Sequence, residues 1–238
     1  AVASDSLLSL GPSRVRLVWV NSPSNPTGRV LPVSHLRKVV EWARERGAVV
    51  ASDECYITLG WEASPVSVLD PSVCGGSYSG VLAVHSLSKR SNLAGYRAGF
   101  VTGDPSLVAA LLALRKQAGM IVPAPVQAAM TAALGDDAHA AVQRERYAAR
   151  RSALREAFTA AGWTVDHSEA GLYLWLTHPA WDGWAAAELL AADCGILVTP
   201  GSVYGPAGER HVRVALTATD ERVAAAASRL RAWSGARR

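Results

Sequence analysis

The sequence predicts an α/β protein: a three-layer α/β/α large domain on a mainly parallel sheet, followed by a smaller α+β domain. Three observations carry this. Short apolar, β-branched runs alternate with helix-period segments through the first half of the chain. Those runs are apolar at nearly every position, as strands buried on both faces are. After Pro105 the pattern turns helical, and after Gly162 it mixes short strands with helices.

The first run, residues 15–20 (VRLVWV), predicts a strand ended by the turn cluster NSPSNPTG. Val33, Leu36, Val39, Val40 and Ala43 then recur at helical spacing, with Gly47 as the stop signal. Residues 48–52 and 81–85 predict two further buried strands, and 98–102 one more. Helices are expected over 107–116, 126–134 and 137–161. Strands follow over 163–166, 172–177, 196–199 and 211–216, with helices over 184–193 and 220–233. The expected division is a large domain over 1–135, then a connecting helix and a C-terminal small domain over 136–238.

Composition narrows the function. With 50% hydrophobic and 18% charged residues in 238, the chain can bury a sizeable core. Its net charge of +4 is mild. The densest basic run, from Arg144 to Arg155, is interleaved with Glu145 and holds Tyr147 as its one aromatic. A solvated helix face explains it better than a nucleic-acid groove. Three scattered cysteines without a CxxC motif fit a reducing cytoplasm. No apolar run is long enough for a membrane span, and the first 20 residues do not form a signal peptide. The missing initiator Met and the early strand predict an N-terminally truncated start. No histidine pair has metal-ligand spacing, so no metal is expected.

The chemistry-bearing residues follow the apolar runs: Asn25 the first, Asp53 and Tyr56 the second, Ser86, Ser88 and Lys89 the third. In a parallel sheet the C-terminal strand ends share one edge, where ligands bind. Only Lys38, Lys89 and Lys116 among the 24 basic residues are lysines. A lysine amine can lose its proton and attack a carbonyl, which a guanidinium cannot. An aspartate at a buried strand end is costly unless it meets a cation or donors, and a protonated pyridine nitrogen would be such a partner. Ser86, Ser88 and Arg97 offer the hydroxyls and donor fork that a phosphate takes. Pyridoxal 5′-phosphate meets all of these needs at once.

The segments SLSK and GYRAG, with SDECY and NSPSNPTG upstream, resemble the fold-type I pyridoxal-phosphate aminotransferases of class I/II. The resemblance extends from about Val15 to the end of the chain. It implies that Lys89 forms the Schiff base and shuttles the proton at substrate Cα. It further implies that Asp53 pairs with the pyridine nitrogen, that Asn25 and Tyr56 bond the cofactor's phenolic oxygen, and that Ser86, Ser88 and Arg97 hold its phosphate. In HVRVALT, Arg213 matches the arginine that grips the substrate α-carboxylate. The segments SDECYITLGW, KQAGMIVPAPVQAAM and DHSEAGLYLW are similar to bacterial succinyldiaminopimelate transaminases. By the same resemblance the partners are small amino-acid and 2-oxo-acid substrates and a second copy in a homodimer. The family's phosphate loop and cofactor-stacking ring would lie in a segment before this one.

Blander readings stand beside these. Asn25 alone suits an Asn-Pro turn, and Tyr56 an ordinary half-buried aromatic. Arg213 alternates with apolar neighbours, as an exposed arginine on an antiparallel strand does. Tyr173, Trp175 and Tyr204 can be pocket wall or core, and core packing is the simpler reading. The SxxK match at Ser86–Lys89 lacks the S-D-N and K-T-G partners of the serine acyl-enzymes. An aminotransferase-like module that binds without turnover remains the alternative of a different class.

Overall fold

The computed structural model describes residues 15–233. The expectations for the N-terminal start lie largely outside them. Among the described residues, 15–23 and Val30–Ala140 form one compact unit, and Ser24–Arg29 with 141–233 form a second.

The first unit holds a four-stranded sheet in the order β1 (Leu17–Asn21), β2 (Val49–Asp53), β3 (Val81–Ser86), β4 (Gly99–Gly103). The first three strands are parallel, and β4 runs antiparallel to β3. Helix α1 (Val33–Glu45) buries Leu36, Val39, Val40, Trp42 and Ala43 against Val18, Val50 and Ala83 of the sheet. Its apolar residues sit at 3.6-residue spacing, and Gly47 follows its end at φ +63°. The expected cover on both sheet faces is not complete at β1: Leu17 and Trp19 are 48% and 57% exposed. Period-two alternation puts these two on the face opposite Val18.

Two short helices punctuate the sheet: α2 (Pro71–Cys74), capped by Asp70, and α3 (Leu87–Arg90), capped by the Ser86 hydroxyl. Then come α4 (Pro105–Gln117), capped by Asp104, and α5 (Ala124–Leu134); neither contributes a fully buried residue. Helix α6 (Ala138–Ala160) leads into the second unit, where it buries Tyr147, Leu154, Ala157 and Phe158.

The second sheet is antiparallel, in the order β5 (Thr164–Asp166), β6 (Tyr173–Thr177), β8 (His211–Ala215), β7 (Thr199–Pro200). On one of its faces Leu174, Leu176, Val212 and Val214 are buried. Helices α7 (Gly183–Cys194) and α8 (Asp220–Ala232) complete this unit and bury Leu190 and Leu230. The strand expected over 196–199 is instead the two-residue β7, because residues 195–198 adopt no regular structure and leave Leu197 91% exposed. Among the described residues no helix is long and apolar enough to cross a membrane.

Candidate active site

In the first unit the parallel ladder brings three strand ends to one edge. Ser22 N–H donates to Asp53 O at 3.2 Å, and Glu54 N–H donates to Val84 O at 2.9 Å. Asn21 Nδ2 also donates to Asp53 O, at 3.1 Å. The Asp53 carboxylate is therefore presented where β2 stops, with Oδ1 accepting the Cys55 N–H at 3.1 Å.

The Cys55 thiol records what surrounds it. Burial, first, and then the Asp53 charge push it up to about 12, while Lys89 and a hydrogen bond with Tyr56 oppose this. Asp53 is paired with Val84 of the neighbouring strand, and the helical turn that carries Lys89 follows the end of that strand. Tyr56 is buried at 4% exposure and Lys89 is half-buried on α3.

The Ser86 hydroxyl accepts the Ser88 N–H at 3.2 Å. That bond uses an oxygen lone pair, so the hydroxyl proton is still available for an anion. Arg97 follows a single 3₁₀ turn in the left-handed region, φ +53°, with Nη1 bonded to Ala94 O at 3.0 Å. Its side chain is exposed.

The other two predicted residues meet in the second unit. Arg213 Nη1 donates to Asn25 Oδ1 at 2.9 Å, across 188 residues of sequence. Asn25 is held in a turn in which Gly28 N–H donates to Ser24 O at 2.7 Å. That turn is fastened to the β5–β6 connection by Ser168 N–H to Thr27 O at 2.9 Å and Ala170 N–H to Gly28 O at 3.0 Å. The Arg213 guanidinium lies over the Tyr173 ring at 4.1 Å and the Tyr204 ring at 5.0 Å. Its Nε is buried without a hydrogen-bond partner. A buried N–H left unpaired is costly unless a ligand takes it, and the Nε edge of a guanidinium suits a two-pronged carboxylate.

Sequence reasoning missed two features here. Tyr173 and Tyr204 both lie against the Arg213 guanidinium as well as packing; for Tyr173 the signal was the shared alternation of GLYLWLT and HVRVALT. Glu54, next to Asp53, is 1% exposed, with Oε1 accepting the Val68 N–H at 2.7 Å and Oε2 3.6 Å from His85 Nε2. A charged residue just past a buried strand was its only signal. Among the described residues no group of three or more His, Cys, Asp or Glu could hold a metal ion.

A mainly parallel sheet with a lysine and an aspartate at the C-terminal ends of its strands, in a chain that also holds an α+β unit, is the fold of the type I pyridoxal-phosphate proteins. Residues 3–230 match the family model "Aminotransferase class I and II", and the chain belongs to that family, which depends on pyridoxal phosphate. It is 67% identical over 229 residues to "Probable aminotransferase Rv1178" of Mycobacterium tuberculosis, covering 95% of this chain and 54% of that one. It is 63% identical over 226 residues to the 4-dedimethylamino-4-oxo-anhydrotetracycline transaminase OxyQ of Streptomyces rimosus, covering 95% and 62%. Among solved structures, the N-succinyldiaminopimelate aminotransferase of Mycobacterium tuberculosis superposes with a TM-score of 0.85 at 26% identity, over 98% of this chain and 62% of that one. The chain thus spans little more than half the length of the curated relatives it matches.

Proposed function

We propose that this chain carries the lysine-bearing part of a pyridoxal-phosphate-dependent aminotransferase that moves an amino group between an amino acid and a 2-oxo acid. The observation that supports it most is the parallel pairing of β2 and β3, which leaves Asp53 and the turn carrying Lys89 at the same edge of the sheet. The residues present fit the cofactor by their chemistry: an amine for its carbonyl, a carboxylate for its ring nitrogen, hydroxyls and a guanidinium for its phosphate. When bound, the cofactor supplies an electron sink for charge that develops at substrate Cα.

Lys89 Nζ would bind the cofactor's carbonyl carbon and, once displaced by an amino donor, move the proton at substrate Cα. Asp53 would keep the ring nitrogen protonated. Tyr56 and Asn25 would donate to the phenolic oxygen. Ser86, Ser88 and Arg97 would hold the phosphate as a fixed anchor. Arg213 would take the substrate α-carboxylate through Nε and its free edge, with Asn25 fixing the opposite edge.

The finer reading is transamination between N-succinyl-LL-diaminopimelate and the 2-oxoglutarate–glutamate pair, in lysine and diaminopimelate biosynthesis. The likeness to the named N-succinyldiaminopimelate aminotransferase supports it. The 63% identity to the tetracycline-pathway transaminase favours a second reading, in which a cyclic ketone is the acceptor. A homodimer and a cytoplasmic setting complete the proposal; the free cysteines Cys55, Cys74 and Cys194 are consistent with the latter.

An absorbance spectrum with added pyridoxal phosphate tests the core of this. A visible band from lysine-bound cofactor is expected, and Lys89→Ala abolishes it. A folded chain with no band sinks the enzyme reading in favour of a module that binds without turnover. Rates with N-succinyl-LL-diaminopimelate, common amino acids and a cyclic ketone then rank the substrates. Equal rates with common amino acids would demote the succinylated substrate.

A further inference from the structure

Arg213 shares its sheet face with a connected set of side chains. The strand registers pair Asp166 with Trp175, Trp175 with Arg213, and Thr177 with His211. Directly paired residues of antiparallel strands point to the same face. All five therefore project from the face opposite the buried Leu174 and Val212.

Contacts run across that face from a carboxylate to the arginine. Asp166 Oδ2 lies 2.9 Å from His211 Nε2 and also accepts the Thr177 hydroxyl at 3.3 Å. The His211 ring lies flat on the Trp175 indole, with centroids 4.6 Å apart and planes at 9°. Trp175 in turn meets Tyr204 edge-on, at 6.1 Å and 77°. Tyr204 covers Arg213.

Trp175 is also wedged against the turn that carries Tyr204. A Cβ at Gly201 would come within 2.6 Å of the indole Cη2, and one at Gly208 within 3.2 Å. Glycine at both positions lets the backbone settle directly on the ring, so the place of the indole sets the place of Tyr204. The indole is 4% exposed, and its ring face is covered by His211.

We propose that His211 and Asp166 are positioning residues for Arg213, acting through Trp175 and Tyr204. This rests on the reading of Arg213 as the substrate-carboxylate arginine. Asp166 fixes the plane of the imidazole, the imidazole fixes the indole, and the indole presses the Tyr204 turn onto the guanidinium. A guanidinium packed against two rings, at 4.1 and 5.0 Å, keeps its plane, so its Nε edge is presented in one orientation. Neither His211 nor Asp166 touches the substrate in this scheme.

Modification of Arg213 by phenylglyoxal, followed on the full chain by peptide mass mapping, tests this without reference to turnover. His211→Ala removes the ring under the indole and should raise the Arg213 modification rate about fivefold, the effect of losing one cation–aromatic contact. Asp166→Ala leaves the ring but not its anchor and should raise the rate about twofold. His211→Phe keeps a flat ring against Trp175 and should stay near the wild-type rate. The proposal is overturned if both alanine variants, folded by circular dichroism, react at the wild-type rate, or if His211→Phe reacts as fast as His211→Ala. L-Glutamate should slow the modification of wild-type Arg213. If it does not, while the variants order as stated, the carboxylate reading falls and the clamp stands.

Discussion

Gly28 is the point at which the Asn25 turn depends on a missing side chain. It sits at φ +67°, and a Cβ there would lie 2.6 Å from Ala170 O and 2.8 Å from Ser168 Cα. Gly28→Ala therefore meets two penalties. The left-handed backbone costs a residue with a Cβ about 1 kcal/mol. The overlap is with backbone, which cannot rotate away, and forcing it apart costs about 2 kcal/mol more. A total of about 3 kcal/mol lowers the melting temperature of a chain this size by about 6–12 °C.

Gly47 supplies the control. Its φ is +63°, yet a Cβ there meets nothing within 4 Å. Gly47→Ala should show the backbone penalty alone, about 1 kcal/mol and a drop of about 2–4 °C. The assay is thermal unfolding by circular dichroism, with hydrogen exchange at the Ser168 and Ala170 amides. Those two amides donate to Thr27 O and Gly28 O and should lose protection in Gly28→Ala only. Equal melting temperatures for the two variants would refute the close approach and, with it, the account of how Asn25 is placed beside Arg213.

Three further outcomes follow from the same geometry. With the Cys55 thiol raised from 9.0 to about 12, it stays protonated at pH 9 and should resist iodoacetamide; Asp53→Asn removes an opposing charge and should speed that alkylation. The sign also fixes a stability window: the contribution is intact below pH 9 and lost as pH rises from 9 towards 12, and rapid alkylation of native Cys55 at pH 9 would contradict both. Glu54→Ala strands the buried Val68 N–H and removes the charge facing His85, so urea unfolding should show a loss of about 2–4 kcal/mol, whereas Glu54→Gln, which keeps an acceptor, should lose less; equal losses would discount the Val68 bond. Asp182 Oδ1 caps α7 by accepting the Trp184 and Ala185 N–H groups, each at 2.9 Å, so Asp182→Ala should cost about 1 kcal/mol in thermal unfolding and Asp182→Asn only a few tenths.

The parallel strands and the helix-period segments were legible because each depends on local order in the chain. Buried strands demand apolar residues at every position, and α1 demands them at 3.6-residue spacing. The polar residues past β2 and β3 were legible for the same reason, since a charge at the end of an apolar run has few structural uses. The strand expected over 196–199 failed where this logic is weakest. Ile196, Leu197 and Val198 have strand-like side chains, but β7 pairs with β8 only through Thr199 and Pro200, and propensity without a partner leaves loop.

What was not legible is distance. The bond from Arg213 to Asn25 spans 188 residues, and no local pattern encodes it. Tyr204 gave no periodic signal because its turn is irregular, and its place over Arg213 depends on two glycines lying on an indole from another strand. His211 looked like one more residue of an alternating strand; only the register, which sets it opposite Thr177 and beside Trp175, shows that its ring faces the site side of the sheet. Period-two alternation gives the face of a strand residue, and the register gives its neighbours. Residues proposed to bind ligands directly tend to declare themselves by an unusual side chain, as Lys89 does in a chain with only three lysines. Residues that hold those side chains in place are ordinary in type, and they become recognisable only when the strands are paired.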